Sequence, residues 1–269
     1  MLRLPAVAGQ FYPGNPRELT TAVEAYTSEL KTPGKTQVRA CLVPHAGYMY
    51  SGAVAGAVFA SIALTRKILL LGVRHYPRGE ALAILSEGAW RTPLGDAPVD
   101  SGLARRFRQE CPALREDSEA HSREHSLEVE VPFLQVLTPG FSFVPVVVGT
   151  LRPEELKELG EGIARVLAES PEQILIVTSS DMNHYEDDET TRYKDHMAID
   201  RMLKLDPAGL YQVCRDNRIT MCGLGPVVAM LTAMQRLGVK NAQLVRYATS
   251  ADVSGDRSTV VGYAGMTFG

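Results

Sequence analysis

Short aliphatic runs alternate along the chain with longer stretches in which apolar residues recur at helical spacing. Val38–Val43, Lys67–Gly72, Ala81–Leu85, Phe141–Val148, Gln173–Thr178 and Gln243–Tyr247 are compact, aliphatic and bounded by turn residues, and they predict buried strands. Ser258–Phe268 predicts a last strand. Helices are expected at Arg17–Leu30, Ser51–Ile62, Ser101–Glu110, Glu124–Leu137, Pro153–Glu169, Glu189–Leu205, Pro207–Asn217 and Pro226–Leu237. Asn15-Pro16 and Asp206-Pro207 each supply a capping side chain followed by a first-turn proline. The alternation predicts an α/β sandwich with a mostly parallel central sheet flanked by helices. No linker-like stretch interrupts it, so one domain is expected over residues 1–269.

Composition narrows the function classes. Hydrophobic residues make up 45% of the 269 and charged residues 22%, the balance of a soluble globular protein. A net charge of −3 offers no electrostatic reason for nucleic acid or an acidic membrane surface as partner. No apolar run is long enough for a membrane span. The opening MLRLPAVAGQFYPGNP is broken by prolines and glycines and does not read as a signal peptide. The four cysteines, Cys41, Cys111, Cys214 and Cys222, are far apart and form no CxxC, which fits a reducing compartment and a cytoplasmic protein.

In open α/β sheets, ligands bind beyond the carboxyl ends of the strands. Three histidines stand there: His45 after the first strand, His75 after the second, and His184 after Gln173–Thr178. A single loop histidine is usually a surface or capping residue, but three in equivalent places point to one site. Neutral imidazole is a common metal ligand and a base near neutral pH. Two histidines with one anionic ligand suit iron(II) or another divalent metal. Asp181, three residues before His184, is placed to ligate metal or orient an imidazole. Cys222 lies just before a helix start, where the partial positive charge favours a thiolate. Cys41 and Cys214 read as small buried hydrophobes. His121-Ser122-Arg123-Glu124-His125 matches HxxEH, the pattern of inverted zinc metallopeptidases. That short pattern arises easily by chance, and no segment singles out the third ligand it needs. His121 therefore reads as a loop residue, while His125 and Glu128 stay open as pocket residues. Trp90 is a further candidate for the pocket wall, although a lone Trp is more often packing. The segments around Trp90–Gly95 and Ala251–Asp256 look turn-like and polar, with Asp252 and Asp256 as turn formers.

At these residues the chain resembles a known family. PHAGYMYSG (44–52), LGVRHYP (71–77), WRTPLGD (90–96), EHSLEVEVPFLQ (124–135), SSDMNHYE (179–186), MCGLGP (221–226) and SADVSGD (250–256) look like successive signatures of the MEMO family, and AGQFYP (8–13) matches its opening. Prokaryotic members are named AmmeMemoRadiSam system protein B. The resemblance implies a fold like the class III extradiol dioxygenases, which use non-haem iron(II). It implies metal on His45, His75 and Cys222, with His184 as the catalytic acid/base beside Asp181. The dioxygenases use a carboxylate where Cys222 stands, a departure that favours softer metal binding and speaks against catechol cleavage itself. Arg74 replaces the small or polar residue that relatives often carry before the histidine and alters charge at the pocket rim. Tyr48 belongs to the same implied pocket. The family label also implies a radical SAM protein and an AMMECR-type protein as partners. Two readings follow: a metal-dependent redox enzyme acting on a small molecule, or a non-catalytic scaffold or carrier that holds metal or peptide in the same pocket.

Overall fold

The computed structural model describes residues 1–28 and 34–269. In order, its elements begin with β1 (Leu2–Arg3), α1 (Pro16–Ser28), β2 (Ala40–Val43), α2 (Tyr48–Ser61), β3 (Lys67–Val73), β4 (Leu82–Ile84), β5 (Ala89–Thr92) and β6 (Gly95–Pro98). They continue with α3 (Ser101–Glu110), β7 (Arg115–Glu116), α4 (Glu119–Ser122), a 3-10 turn (Glu128–Glu130), α5 (Val131–Leu137), β8 (Ser142–Val148) and α6 (Pro153–Ala168). The last third holds β9 (Ile174–Ser179), β10 (His184–Glu186), α7 (Asp188–Leu203), α8 (Pro207–Asp216), α9 (Leu224–Arg236), β11 (Ala242–Thr249), α10 (Ala251–Ser254) and β12 (Val260–Phe268). The last two residues of the helix expected over Arg17–Leu30 lie outside the described residues.

A strand side chain faces one side of the sheet and the next faces the other, so a continuous aliphatic run needs cover on both faces. Leu42, Leu69, Leu71 and Ile176 pack into one buried cluster with side chains of α3, α6, α7, α8 and α9. Their neighbours Cys41, Val43, Ile68, Leu70, Leu175 and Val177 pack into a second with α1, α2 and α5. The result is three layers, helix–sheet–helix, with two cores. The large sheet runs β10-β12-β2-β9-β3-β8-β4-β7, and β11 pairs with the other edge of β12. Its central strands β2, β9, β3 and β8 are parallel.

The α/β class with helices on both faces of a parallel centre is as expected; the outer strands add antiparallel pairs. β4 runs antiparallel to β8, and β12 runs antiparallel to β2, β10 and β11, so the sheet is mixed. β3 reaches β4, and β11 reaches β12, through connections too short for a crossover helix, so β4 and β12 run back against the parallel strands. The segment around Trp90 is a β-hairpin, β5 with β6, to which β1 adds in parallel. Ala251–Ser254 closes as one helical turn. The helix expected from Glu124 begins only at Val131, where Pro132 is accommodated in the first turn. Among the described residues no helix is long and apolar enough to cross a membrane.

Candidate metal centre

Because the four central strands are parallel, their carboxyl ends share one edge of the sheet. β2 delivers His45 there, β3 delivers His75, and β9 delivers Asp181 and His184. A further histidine joins them from the segment ahead of α5. His125 stacks on His75 with ring centroids 4.4 Å apart and an interplanar angle of 17°, and both rings stand edge-on to His45 at 5.6 and 5.1 Å. One ligating atom from each of His45, His75 and His125 lies within 4.8 Å of the others, close enough for the group to hold a metal ion. Cys222 Sγ is 3.3 Å from His45 Nε2.

The hydrogen-bond partners aim these rings. Glu124 accepts from the His75 backbone N–H at 2.6 Å and from its ring Nδ1 at 2.8 Å, leaving Nε2 as the free donor atom of the ring. Burial opposes the Glu124 charge, but the hydrogen bonds from His75 and from the Ser126 amide outweigh it and hold the carboxyl near 2. His45 is buried; its backbone N–H donates to Asp181 Oδ1 at 2.8 Å, and its Nδ1 lies 2.7 Å from Ser179 Oγ. Burial, then the neighbouring imidazoles, lowers the His45 pKa well below its ordinary value. The same causes bring His125 to about 4. Each imidazole so affected is neutral near pH 7, the form that ligates metal. Outer partners that fix ring orientation and tautomer are characteristic of ligating histidines.

Several side chains do other work than expected. Asp181 does not touch the His184 ring: it caps the turn that carries His45. Burial outweighs the amide hydrogen bonds and pushes Asp181 up to about 7. The His184 Nδ1 faces the Thr220 carbonyl at 3.0 Å, and Thr220 Oγ1 accepts from the His184 backbone N–H at 2.8 Å. Burial lowers the His184 pKa. Cys222 stands ahead of α9 as expected, but its thiol pKa is raised, first by burial and then by the Asp181 charge, against the opposing Gly223 amide. The helix end alone does not make this thiol a thiolate; a cation beside it would.

The pocket candidates divide. Tyr48 is buried, with its hydroxyl on the Val129 carbonyl at 2.6 Å. Arg74 reaches back to the Gly79 carbonyl at 2.6 Å within its own loop. Trp90 is buried under the Arg3 guanidinium, 4.2 Å from its ring, and packs edge-on to Phe143. Glu128 is the anchor of the N-terminal arm: it ion-pairs with Arg3 at 2.5 Å and accepts from the Ala6 and Val7 amides and the Tyr12 hydroxyl. The arm so held sets Phe11 edge-on to His125 at 4.9 Å. His121 sits on α4 and His125 beyond its end, so the HxxEH pair does not share a helix face. His121 is buried, with Nδ1 on the Asp117 carbonyl.

The comparisons agree with this architecture. The family model described as Memo-like protein matches residues 3–267. The chain belongs to the MEMO family. A MEMO1 family protein of Methanopyrus kandleri is 39% identical over all of this chain and 99% of its own length. One from Desulfurococcus amylolyticus is 41% identical, covering 99% of this chain and 98% of that one. In fold, the chain is similar to an uncharacterized Escherichia coli protein, at a TM-score of 0.56 and 13% identity over 86% of this chain and 99% of the other. Within this MEMO chain, sequence reasoning missed the parts played by Glu124, Ser179, Glu130 and Thr220. A signal for the acids was present: Glu124, Glu128 and Glu130 interrupt an otherwise apolar segment, and all three are buried.

Proposed function

We propose that the cluster holds one divalent transition-metal ion, with iron(II) as the candidate, and that the protein is a metal-dependent redox enzyme acting on a small molecule. The convergence of His45, His75 and His125 within 4.8 Å carries the reading. Cys222, whose sulfur lies 3.3 Å from His45 Nε2, would supply the anionic donor expected beside His45 and His75, with His125 as a third nitrogen. Mixed imidazole and thiolate donors suit iron better than magnesium or calcium. Held by these residues, iron(II) would supply one-electron chemistry and a place for substrate.

The chain's own groups hold and move the protons. The Thr220 carbonyl only accepts, so the His184 Nδ1 carries hydrogen and its Nε2 is the atom that takes a proton from substrate or returns it. Glu124 keeps the His75 ring aimed throughout. The N-terminal arm, fastened by Glu128, sets Phe11 against His125 and shields that ring from water.

A carrier is the second reading, favoured by one observation: the three clustered imidazoles, if joined by the Cys222 sulfur 3.3 Å from His45 Nε2, would close a tetrahedral shell, the mark of a structural rather than a catalytic site. Anaerobic loading with iron(II), metal analysis and oxygen uptake on a substrate panel separate the two. One equivalent of iron with substrate-dependent uptake supports the enzyme. One equivalent without turnover supports the carrier, and no bound metal sinks both. A radical SAM protein and an AMMECR-type protein remain the proposed partners, and we propose a cytoplasmic location, which the four free thiols support. Affinity capture of the intact chain under reducing conditions tests the partnership.

A further inference from the structure

His45 lacks the direct carboxylate that His75 has. Its Nδ1 meets Ser179 Oγ at 2.7 Å, and that hydroxyl donates onward to Glu130 Oε1 at 3.3 Å. Glu130 is fully buried just ahead of α5, and its Oε2 has no hydrogen-bond partner among the described residues. A buried carboxyl with one oxygen unsatisfied is costly to fold, and core packing would be served better by an apolar side chain. Burial, against the Ser179 hydrogen bond, pushes its pKa well above the ordinary value. At Oε1 the carboxyl accepts from the Ser179 hydroxyl.

We propose that Glu130 is a positioning residue that acts through Ser179 to set the tautomer of His45. The serine hydroxyl has a single hydrogen. Glu130 Oε1 draws that hydrogen to itself, so Ser179 Oγ offers only lone pairs to the ring. His45 Nδ1 must then be the donor, and the Nε2 lone pair faces Cys222 and the other imidazoles. His45 and His75 thus reach one tautomer by two routes, a relayed carboxyl and a direct carboxylate. The thiol of Cys222 is the other group able to bias the ring, but it is a weak donor and can turn to the Asp181 carbonyl at 3.6 Å instead. The inference concerns the metal-binding reading above, yet the tautomer is observable with no metal present.

The test is ¹⁵N NMR of the imidazoles in histidine-labelled full-length protein near neutral pH, followed by cobalt(II) titration against a competing chelator. Wild type and Glu130→Gln, which keeps a carbonyl acceptor, are expected to show His45 protonated on Nδ1. Glu130→Met matches the volume without an acceptor; it is expected to move His45 toward the Nε2–H form and to weaken cobalt(II) binding about 10- to 100-fold. Ser179→Ala removes the relay with a smaller change to the core and is expected to do the same, which covers the case in which Glu130→Met does not fold. An unchanged tautomer in Glu130→Met or Ser179→Ala overturns the proposal, as does a loss in Glu130→Gln equal to that in Glu130→Met. Tautomer shifts as expected in a protein that binds no cobalt(II) leave the positioning role standing and remove the metal reading instead.

Discussion

Glu124 binds His75 twice, accepting from its backbone N–H at 2.6 Å and from its ring Nδ1 at 2.8 Å. One carboxylate therefore fixes both the chain that delivers the imidazole and the nitrogen the imidazole presents. Glu124 precedes His125, so the same turn that orients His75 also brings the ring that stacks on it. Removal of this carboxylate is expected to loosen two of the three clustered imidazoles together. Glu124→Ala should weaken iron(II) or cobalt(II) binding about 10- to 100-fold. A chelator competition that returns the wild-type affinity would show that Glu124 has no such role.

The donor set can be read one residue at a time. His45→Ala and His75→Ala are expected to abolish stoichiometric metal binding. Cys222→Ser should retain a weaker site and lose the sulfur-to-metal charge-transfer absorption of the cobalt(II) form, since a hydroxyl is a poor substitute for thiolate. His125→Ala should weaken binding while keeping that absorption. Full affinity in His125→Ala would place this imidazole outside the coordination shell and leave the set at His45, His75 and Cys222.

The Arg3–Glu128 pair is buried on both sides, with side chains 5% and 1% exposed. Arg3→Ala leaves the Glu128 charge without its partner, and such losses cost about 3–5 kcal/mol. Urea unfolding is expected to show a fall of that order. Because Glu128 also fastens the Ala6 and Val7 amides, the arm should become sensitive to proteolysis near Phe11. An Arg3→Ala protein as stable and as resistant as wild type would mean that the arm is held by its apolar contacts alone.

Asp195 sets a pH dependence away from the metal centre. Burial pushes its carboxyl up to about 7, against hydrogen bonds from the Asn183 amide at 2.8 Å and the Tyr247 hydroxyl at 2.7 Å. The folded pKa is raised above the unfolded value of about 3.9, so the native state keeps a proton that the unfolded state has lost. Its contribution is full below the unfolded pKa and disappears as pH rises through the folded one. Asp195→Asn retains an acceptor for Asn183 and removes the titration. The Tm difference, variant minus wild type, is expected to rise from about pH 5 to about pH 7.5; parallel melting curves would contradict it.

The order of the main strands and long helices, the layered α/β class and the three strand-end histidines were legible in the sequence because each rests on a local regularity. Aliphatic runs without alternation require burial on both faces, and a residue just past a parallel strand must appear at the carboxyl edge. What the local pattern does not encode is which remote segment lies beside which. His125 joined the cluster because the segment ahead of α5 folds back over β3, where Ser126 Oγ meets the backbone of Val73 and Glu124 meets His75. Asp181 turned from His184 to His45 because β2 and β9 are paired neighbours, with Val43 opposite Ser179. Trp90 left the pocket for the hairpin of β5 and β6, since Arg3 from β1 covers its face. Sequence determined the inventory of donors and the edge where they emerge. Tertiary structure alone decided which carboxylate aims which ring, because those hydrogen bonds join residues from about 50 to more than 130 positions apart, and no periodicity spans such distances.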